Sequence, residues 1–393
     1  MRLLHTSDWH LGRSLETVSL AQHQHDFLTW LTDLVREREI DAVLVCGDVY
    51  DRAIPSVEAV RLLEHALVAL VPQCPVVLIS GNHDSAARLG YGRELLSAVG
   101  VHFRSSIDDL ARPVELADAD GTAVLVYGIP YLEPEVVRTA LAAEKSHVAV
   151  LTAAMDRVRA DLSVRRQDAA AGGGGVPRSV VMAHAFITGG QPSDSERDVS
   201  VGGVADAPAS VFTGVDYVAL GHLHGPQVVS SDPLVRYSGT PLAYSFSEEA
   251  HVKSVTIVDV GPDGAVTIET VPTPVPRPLK KLTGDLDDLL SDAALAEYED
   301  HWVWADLTDA RRPEDAMERV RSRYPHAIQL SWQPRIAGAP LAAVDVRIDP
   351  TTADPVDVVL SFIEHVTSAP PTDDETVLAR DCVERVRIAE AAE

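Results

Sequence analysis

The sequence predicts an α/β domain followed by a small α+β unit and a pair of terminal helices, and three observations carry that prediction. Short, near-continuous Val/Ile/Leu runs ending in Gly or Asp recur through the first two thirds of the chain. Helical apolar periods lie between them, and a proline-rich stretch follows. Continuous apolar runs are what strands buried on both faces look like, because neither face can be polar. Strands that alternate with helices argue for a largely parallel sheet.

The elements follow in order. The expected strands are Leu3-Leu4-His5, 42–46, 76–79, 124–126, 180–182 and 217–220. Phe27, Trp30, Leu31, Leu34 and Val35 recur at helical spacing, as do Val57, Val60, Leu63 and Leu67. From Leu234 to Val271 the pattern changes to strands joined by turns, with Gly261-Pro262-Asp263-Gly264 as the clearest turn. The run 271–278, V-P-T-P-V-P-R-P, reads as an extended linker. Beyond it a strand at 302–307, a helix at 313–323 and a strand at 327–330 make the α+β unit. Two helices, 355–366 and 373–392, close the chain, parted by Ala369-Pro370-Pro371. The stretch 169–177, A-A-A-G-G-G-G-V-P, reads as a flexible loop within the first domain. The domains expected are therefore 1–275, 276–347 and 348–393.

Composition narrows the function. There are 33 Lys+Arg against 59 Asp+Glu, a formal net charge of -26. Such a surface repels polyanions, so a generic cationic nucleic-acid binder is excluded and any phosphate chemistry needs local cations, for which bound metal ions serve best. Cys46, Cys74 and Cys382 form no C-x-x-C pair, which fits a reducing, cytoplasmic location. No apolar run approaches a membrane span, and the first residues lack a signal-peptide core.

Five motifs fall where predicted strands end: Asp8-Trp9-His10, Gly47-Asp48-Val49-Tyr50-Asp51, Gly81-Asn82-His83-Asp84, His184 and Gly221-His222-Leu223-His224. Strand ends are where an α/β sheet builds its sites. Carboxylates, imidazoles and one amide suit a divalent transition metal better than an all-oxygen calcium site. D-x-H and H-x-H can each turn both side chains to one side of an extended strand end or a loop. With 15 His in the chain, chance alone supplies roughly 0.6 H-x-H pairs, so a lone pair says little. His23-x-His25 lies at the start of an amphipathic helix and reads as a solvated pair, and His5, inside a strand, as a core histidine. Asn82 stands apart, being the chain's one asparagine. A left-handed turn could use the abundant Asp or Gly, whereas a neutral amide oxygen for a metal has no such substitute. Asp48, after an apolar run, would be an expensive buried carboxylate without a metal or partner.

The ordered set H-T-S-D-W-H-L-G (5–12), G-D-V-Y-D-R (47–52), S-G-N-H-D-S (80–85) and G-H-L-H (221–224) resembles the calcineurin-like metallophosphoesterases. Within them it is most similar to the SbcD-type nuclease subunits of bacterial double-strand-break complexes. The resemblance implies a β-sandwich flanked by helices, then a DNA-contacting capping domain. It implies a two-metal centre, usually Mn²⁺ (Mg²⁺, Fe²⁺ or another divalent ion serving in its place), with Asp8, His10, Asp48 and His224 on the first ion. Asp48, Asn82, His184 and His222 would hold the second, Asp48 bridging. His83 would act at the leaving oxygen, and Asp84 would orient His83 or close the turn. Asp51 stands where archaeal and eukaryotic relatives carry histidine. The tract Tyr237 to Phe246 resembles the family's substrate-side loop, while Arg311 and Arg312 read as surface charges before DNA contacts.

The activity so implied is 3'-to-5' exonuclease action on duplex DNA ends and endonuclease action on single strands and hairpins, in DNA repair, recombination and replication. The partners implied are DNA, an SbcC-type SMC-like ATPase docked on the terminal helices, and a second copy of the chain packed through helices at 56–70 and 85–98. One rival is an enzyme of the same superfamily cleaving a small phosphodiester such as a cyclic nucleotide, against which the C-terminal extension counts. A non-catalytic scaffold is the other, and it should have lost ligands that are all present here.

Overall fold

The architecture comes from a computed structural model that describes residues 1–118, 121–196, 207–275, 277–334, 354–367 and 370–390. The chain divides into two units, Met1–Leu279 and Lys280–Glu393.

The first unit is built on two six-stranded sheets. One runs, edge to edge, Val266–Pro272, Ser254–Val260, Arg2–Thr6, Ala42–Cys46, Val76–Ile79 and Val101–Arg104. The other runs Gln227–Ser231, Leu234–Tyr237, Tyr217–Gly221, Arg178–His184, Ala123–Ile129 and Val114–Ala117. The central strands of each sheet pair in parallel, and antiparallel strands sit toward the edges.

Period-two alternation sorts each strand's side chains between two layers. Leu3, Ala42, Leu44, Cys46, Val77 and Ile79 face the second sheet, where Val124, Val126, Val180, Met182, Tyr217 and Ala219 meet them. Their neighbours Leu4, Val43, Val45 and Leu78 point the other way, onto helices Ala21–Glu37 and Val57–Leu70. The second sheet's outer face, with Tyr127, Val181 and Val218, is covered by helix His147–Ala171 through Val150, Ala154, Met155 and Val158. Both apolar faces of each sheet are thereby buried, which is why the sequence shows continuous runs. Each large aliphatic side chain so buried contributes about 1.5–3 kcal/mol. Ser56 and Ser146 start two of the helices, each side-chain oxygen accepting the N–H three residues on, from Ala59 and Ala149.

Three details depart from the sequence reading. Leu234–Tyr237 does not belong with the later hairpin: it pairs in the second sheet, while Ser254–Val260 and Val266–Pro272 join the first. The chain crosses from sheet to sheet over residues 238–253, the tract that borders the strand-end motifs. The stretch 169–177 begins as helix, since the preceding helix runs to Ala171. The helix expected from Pro313 starts at Ala316.

In the second unit, strands Leu279–Gly284, Trp302–Leu307 and Ala327–Trp332 form a sheet, the last two parallel. Its core is Leu282, Leu286, Leu289, Val303, Leu307, Val320 and Tyr324. Helices Pro355–Thr367 and Asp373–Glu390 follow. The expected boundary near 347–348 falls in 335–353, outside the described residues. Among the described residues no helix is long and apolar enough to cross a membrane.

Candidate metal centre

All five motifs meet at one end of the sandwich, where the loops after the parallel strands of both sheets converge. Backbone bonds join the first two loops: Asp8 N donates to Gly47 O (3.1 Å), and His10 N to Asp48 O (2.9 Å). The buried Gln24 ties them to the first helix, its Nε2 donating to His10 O at 2.8 Å while its Oε1 accepts from Gly12 N at 3.0 Å. The second sheet joins through His222, whose N–H donates to both carboxylate oxygens of Asp8 at 3.1 Å.

Of the two settings the sequence allowed, strand end or loop, the D-x-H and H-x-H side chains are aimed from loops. Asp8, His10, Asp48 and His222 all adopt positive φ (51°, 43°, 43° and 111°). Left-handed backbone in a residue with a Cβ costs about 1–2 kcal/mol, and such strain persists where surrounding bonds over-determine it. Asn82, by contrast, is not among the left-handed residues, so turn conformation does not explain the asparagine. Two glycines make the convergence possible. A Cβ at Gly221 would lie 1.7 Å from Cys46 O, and one at Gly81 would lie 2.1 Å from Asp48 Oδ1.

Hydrogen bonding fixes which nitrogen of each ring faces inward. His184 Nδ1 lies 3.0 Å from Cys46 O, and a carbonyl can only accept, so Nδ1 carries the proton and Nε2 is a lone pair. His224 Nδ1 lies 2.6 Å from Ser195 Oγ and 3.2 Å from Glu248 Oε1. Ser195 gives its own proton to Glu248, so this ring too presents a bare Nε2. These lone pairs point inward: His184 Nε2 is 2.8 Å from Asn82 Oδ1, an acceptor, and His224 Nε2 is 3.2 Å from His10 Nε2. Asn82 Oδ1 is also 3.2 Å from His222 Nδ1. Asp48 lies between the two sets, its Oδ2 3.5 Å from His184 Nε2 and 3.7 Å from His10 Nε2.

Convergent lone pairs repel unless a cation lies among them. Ligand atoms of Asp8, His10 and His224, and of Asp8, Asp48 and His184, lie within 4.8 Å of one another. Burial, then the neighbouring Asp48 charge, pushes the Asp8 carboxyl well above its ordinary range. Burial likewise drives the His10, His184 and His222 imidazoles down, away from the charged form. An acid held up beside bases held down is a donor set for divalent ions, whose charge reverses the cost of ionising the carboxylates. The seven side chains predicted as ligands are thus brought together and fit such ions.

His83 lies at the edge of this group, its ring 4.8 Å from that of His10. Its N–H donates to Asp48 Oδ1 (2.8 Å) and its Nδ1 to the carbonyl of Asp51 (2.8 Å), which leaves Nε2 open. Asp84 does not touch the His83 ring. Its carboxylate accepts from Gly81 N (2.9 Å), Tyr50 N (2.9 Å) and Val49 N (3.1 Å), closing the turn between two loops. Burial and the Asp48 charge push that carboxyl up to about 7. The Asp51 side chain faces both His10 Nδ1 and Arg13 Nη1 at 3.7 Å. Beside His184 and His222 a hollow is walled by Tyr131, Leu132, His147, Leu151 and Phe186.

His5 is buried elsewhere, between the sheets, bonded to Tyr217 Oη (2.9 Å) and Leu220 O (3.0 Å). It is outside the site, as the strand context indicated, and so is the surface pair of His23 and His25. Sequence reasoning missed the groups behind His224: Ser195, Glu196, Glu248 and Lys253. One signal was available, since lysine occurs only at 145, 253, 280 and 281 and Lys253 is buried.

Comparison with known proteins accords with this geometry. The family model described as calcineurin-like phosphoesterase matches residues 1–226. The chain belongs to the calcineurin-like phosphoesterase family and is a metal-dependent hydrolase. A second model, described as the type 5 capsule protein repressor C-terminal domain, matches residues 275–367 and gives the chain the two-part layout of SbcD-type nucleases. Among solved structures, one from Thermus thermophilus is 12% identical, covering 68% of this chain and 98% of that one with a TM-score of 0.39. A dimetal phosphatase from Danio rerio is 14% identical, covering 70% and 99%, with a TM-score of 0.38.

Proposed function

We propose that the chain is the nuclease subunit of an SbcC–SbcD-type complex: a Mn²⁺-dependent phosphodiesterase that degrades duplex DNA from 3' ends and cuts single strands and hairpins. The observation that carries it is the pairing of a two-ion donor set with an SbcD-type C-terminal domain on one chain. Asp8, His10, Asp48 and His224 hold the first ion, and Asp48, Asn82, His184 and His222 the second. When bound, such a pair supplies Lewis acidity and an activated water for in-line attack on phosphorus.

The chain's own groups do the rest. Asp48, whose Oδ2 lies between His10 and His184, would be shared by the two ions, and its Oδ1 accepts from the His83 backbone N–H. His83, oriented by the Asp51 carbonyl, has Nε2 open, and in its doubly protonated form that nitrogen would give its proton to the leaving 3'-oxygen, leaving the ring neutral with Nδ1–H on the Asp51 carbonyl. Asp84 is a positioning residue that fixes the Gly81 turn. The Asp51 side chain, directed at His10 and Arg13, takes no leaving-group role. Local ion charge resolves the conflict between a net charge of -26 and a polyanionic substrate. The hollow walled by Tyr131 and Phe186 offers aromatic faces to a base beside the scissile phosphate.

The partner surfaces follow the same reading. Ile54, Val57, Val68, Tyr91, Leu95 and Val99, on or beside the helices at 57–70, 86–89 and 93–97, are exposed and apolar, and we assign them to a homodimer contact. Val359, Phe362, Val377 and Leu378 on the terminal helices are exposed too, and we assign them to the SbcC-type ATPase. The expected domains, 1–275, 276–347 and 348–393, remain our working division, with a cytoplasmic location.

The test is metal content together with Mn²⁺-dependent cleavage of an end-labelled hairpin duplex, with and without the ATPase and ATP. Two ions per chain and cleavage boosted by the ATPase with ATP are expected. Two ions with no DNA cleavage under any condition, but turnover of a cyclic nucleotide, would move the assignment to a small-phosphodiester enzyme.

A further inference from the structure

We propose that Glu248, Lys253 and Ser195 are positioning residues that lock the His224 ring in the orientation and tautomer needed to hold the first ion. This rests on the two-ion reading above. Glu248 and Lys253 are 1% and 2% exposed and form an ion pair about as deeply buried as the ligands themselves. Buried pairs of this kind add little net stability, because desolvation of both charges offsets their attraction. Their surroundings show what they do instead.

Each member of the pair reaches His224 directly, Lys253 at its carbonyl and Glu248 at its ring, while Glu248 also accepts from Tyr244 N (3.3 Å) and Thr240 Oγ1 (3.4 Å). Lys253 Nζ donates to His224 O (3.0 Å), to Thr240 Oγ1 (2.8 Å) and to Glu248 Oε2. With Oε2 so occupied, Glu248 Oε1 is turned to the ring, accepting from Ser195 Oγ and lying 3.2 Å from His224 Nδ1. Glu196 Oε1 accepts from the His224 backbone N–H at 2.7 Å, so main chain and ring are both held. A carboxylate, and a serine that has already spent its proton on that carboxylate, can only accept from Nδ1. The ring proton is therefore confined to Nδ1 and the lone pair to Nε2, which faces His10 and the ion position. Groups behind a metal-ligating histidine set its tautomer and raise its basicity in this way. Glu248 and Lys253 lie on the crossing between the two sheets, behind the His224 ring.

The experiment titrates Mn²⁺ into the metal-free full-length chain by calorimetry and reads the His224 ring tautomer by nitrogen-15 correlation spectra of the same samples. Wild type should bind two ions and show Nδ1–H at His224. Glu248→Gln, whose amide can donate to Nδ1, should weaken one ion by about 10- to 100-fold and leave the other unchanged, with the ring shifted toward Nε2–H. The charge-free double variant Glu248→Gln/Lys253→Met leaves neither charge stranded, so it should melt near wild type yet keep the same metal defect. A folded double variant that binds both ions as wild type does, with the ring still Nδ1–H, overturns the proposal. If the double variant does not fold, Ser195→Ala serves: it keeps the ion pair intact and should weaken one ion severalfold, and unchanged affinity overturns the proposal equally. If wild type binds no ion, the two-ion reading has failed, and the tautomer spectra of the metal-free proteins alone judge the lock.

Discussion

His5 and His10 are both fully buried and five residues apart, yet both nitrogens of the first are satisfied while the second turns a nitrogen toward another imidazole at 3.2 Å. His5 sits on regular strand and His10 on left-handed backbone. Burial pushes His5 down to about 3, and its neighbours need nothing more than the neutral ring. The difference separates a histidine that fills a core from one that waits for a ligand: the tell is not burial but whether the lone pairs are answered.

The comparison breaks most sharply at Asp48, the carboxylate that the proposed function has both ions share. Asp48→Asn should lower DNA cleavage by roughly 10⁴-fold and reduce bound Mn²⁺ in elemental analysis, since several kcal/mol of transition-state stabilisation pass through the shared carboxylate. His83→Gln should cost roughly 10³-fold in kcat with two ions still bound, which separates proton transfer from metal holding. Loss of an ion in that variant would instead place His83 among the ligands.

Stability measurements sharpen the contrast further. Gly81→Ala pushes a methyl group into Asp48 and should cost about 2–3 kcal/mol in denaturant unfolding, with metal content reduced as well. Mn²⁺ at about 100 times its dissociation constant should add about 2.7 kcal/mol per bound ion to wild type. Asp48→Asn should gain almost none of it in the same melting series.

How far the sequence carried the reading is clearest in the same residues. The strand runs and strand-end motifs picked out the seven candidate side chains that the fold brings to one end of the sandwich, because continuous apolar patterning and ligand chemistry are both properties of residue type. The left-handed backbone at Asp8, His10, Asp48 and His222 was not legible, because these residues adopt it under tertiary hydrogen bonds, not by intrinsic preference. Strands Val101–Arg104, Val114–Ala117 and Gln227–Ser231 escaped because they are short and lie at or near sheet edges, where one face need not be apolar. Ser195 and Glu248 escaped because they meet only through the fold, 53 residues apart.

Over a single pH unit, the smallest effect belongs to His5. Its folded value lies below the unfolded 6.5, so its contribution is complete above 6.5 and is lost as pH falls toward about 3. The stability gap between wild type and His5→Gln should therefore narrow by about 1.4 kcal/mol per pH unit below 6.5, measured by urea unfolding in chelator. A gap independent of pH would show that His5 takes up its proton equally in the folded and unfolded chain, so that burial does not disfavour its charged form.

The ligands come from both sheets: Asp8, Asp48 and Asn82 follow strands of one, and His184, His222 and His224 follow strands of the other. An ion pair held there fastens the sandwich at one end, as a clasp closes the open edge of a folded sheet of card. Amide exchange should then slow on metal loading at the ends of Ala42–Cys46 and Arg178–His184 together, though no backbone hydrogen bond joins those two strands, and the far end of the sandwich should exchange as before.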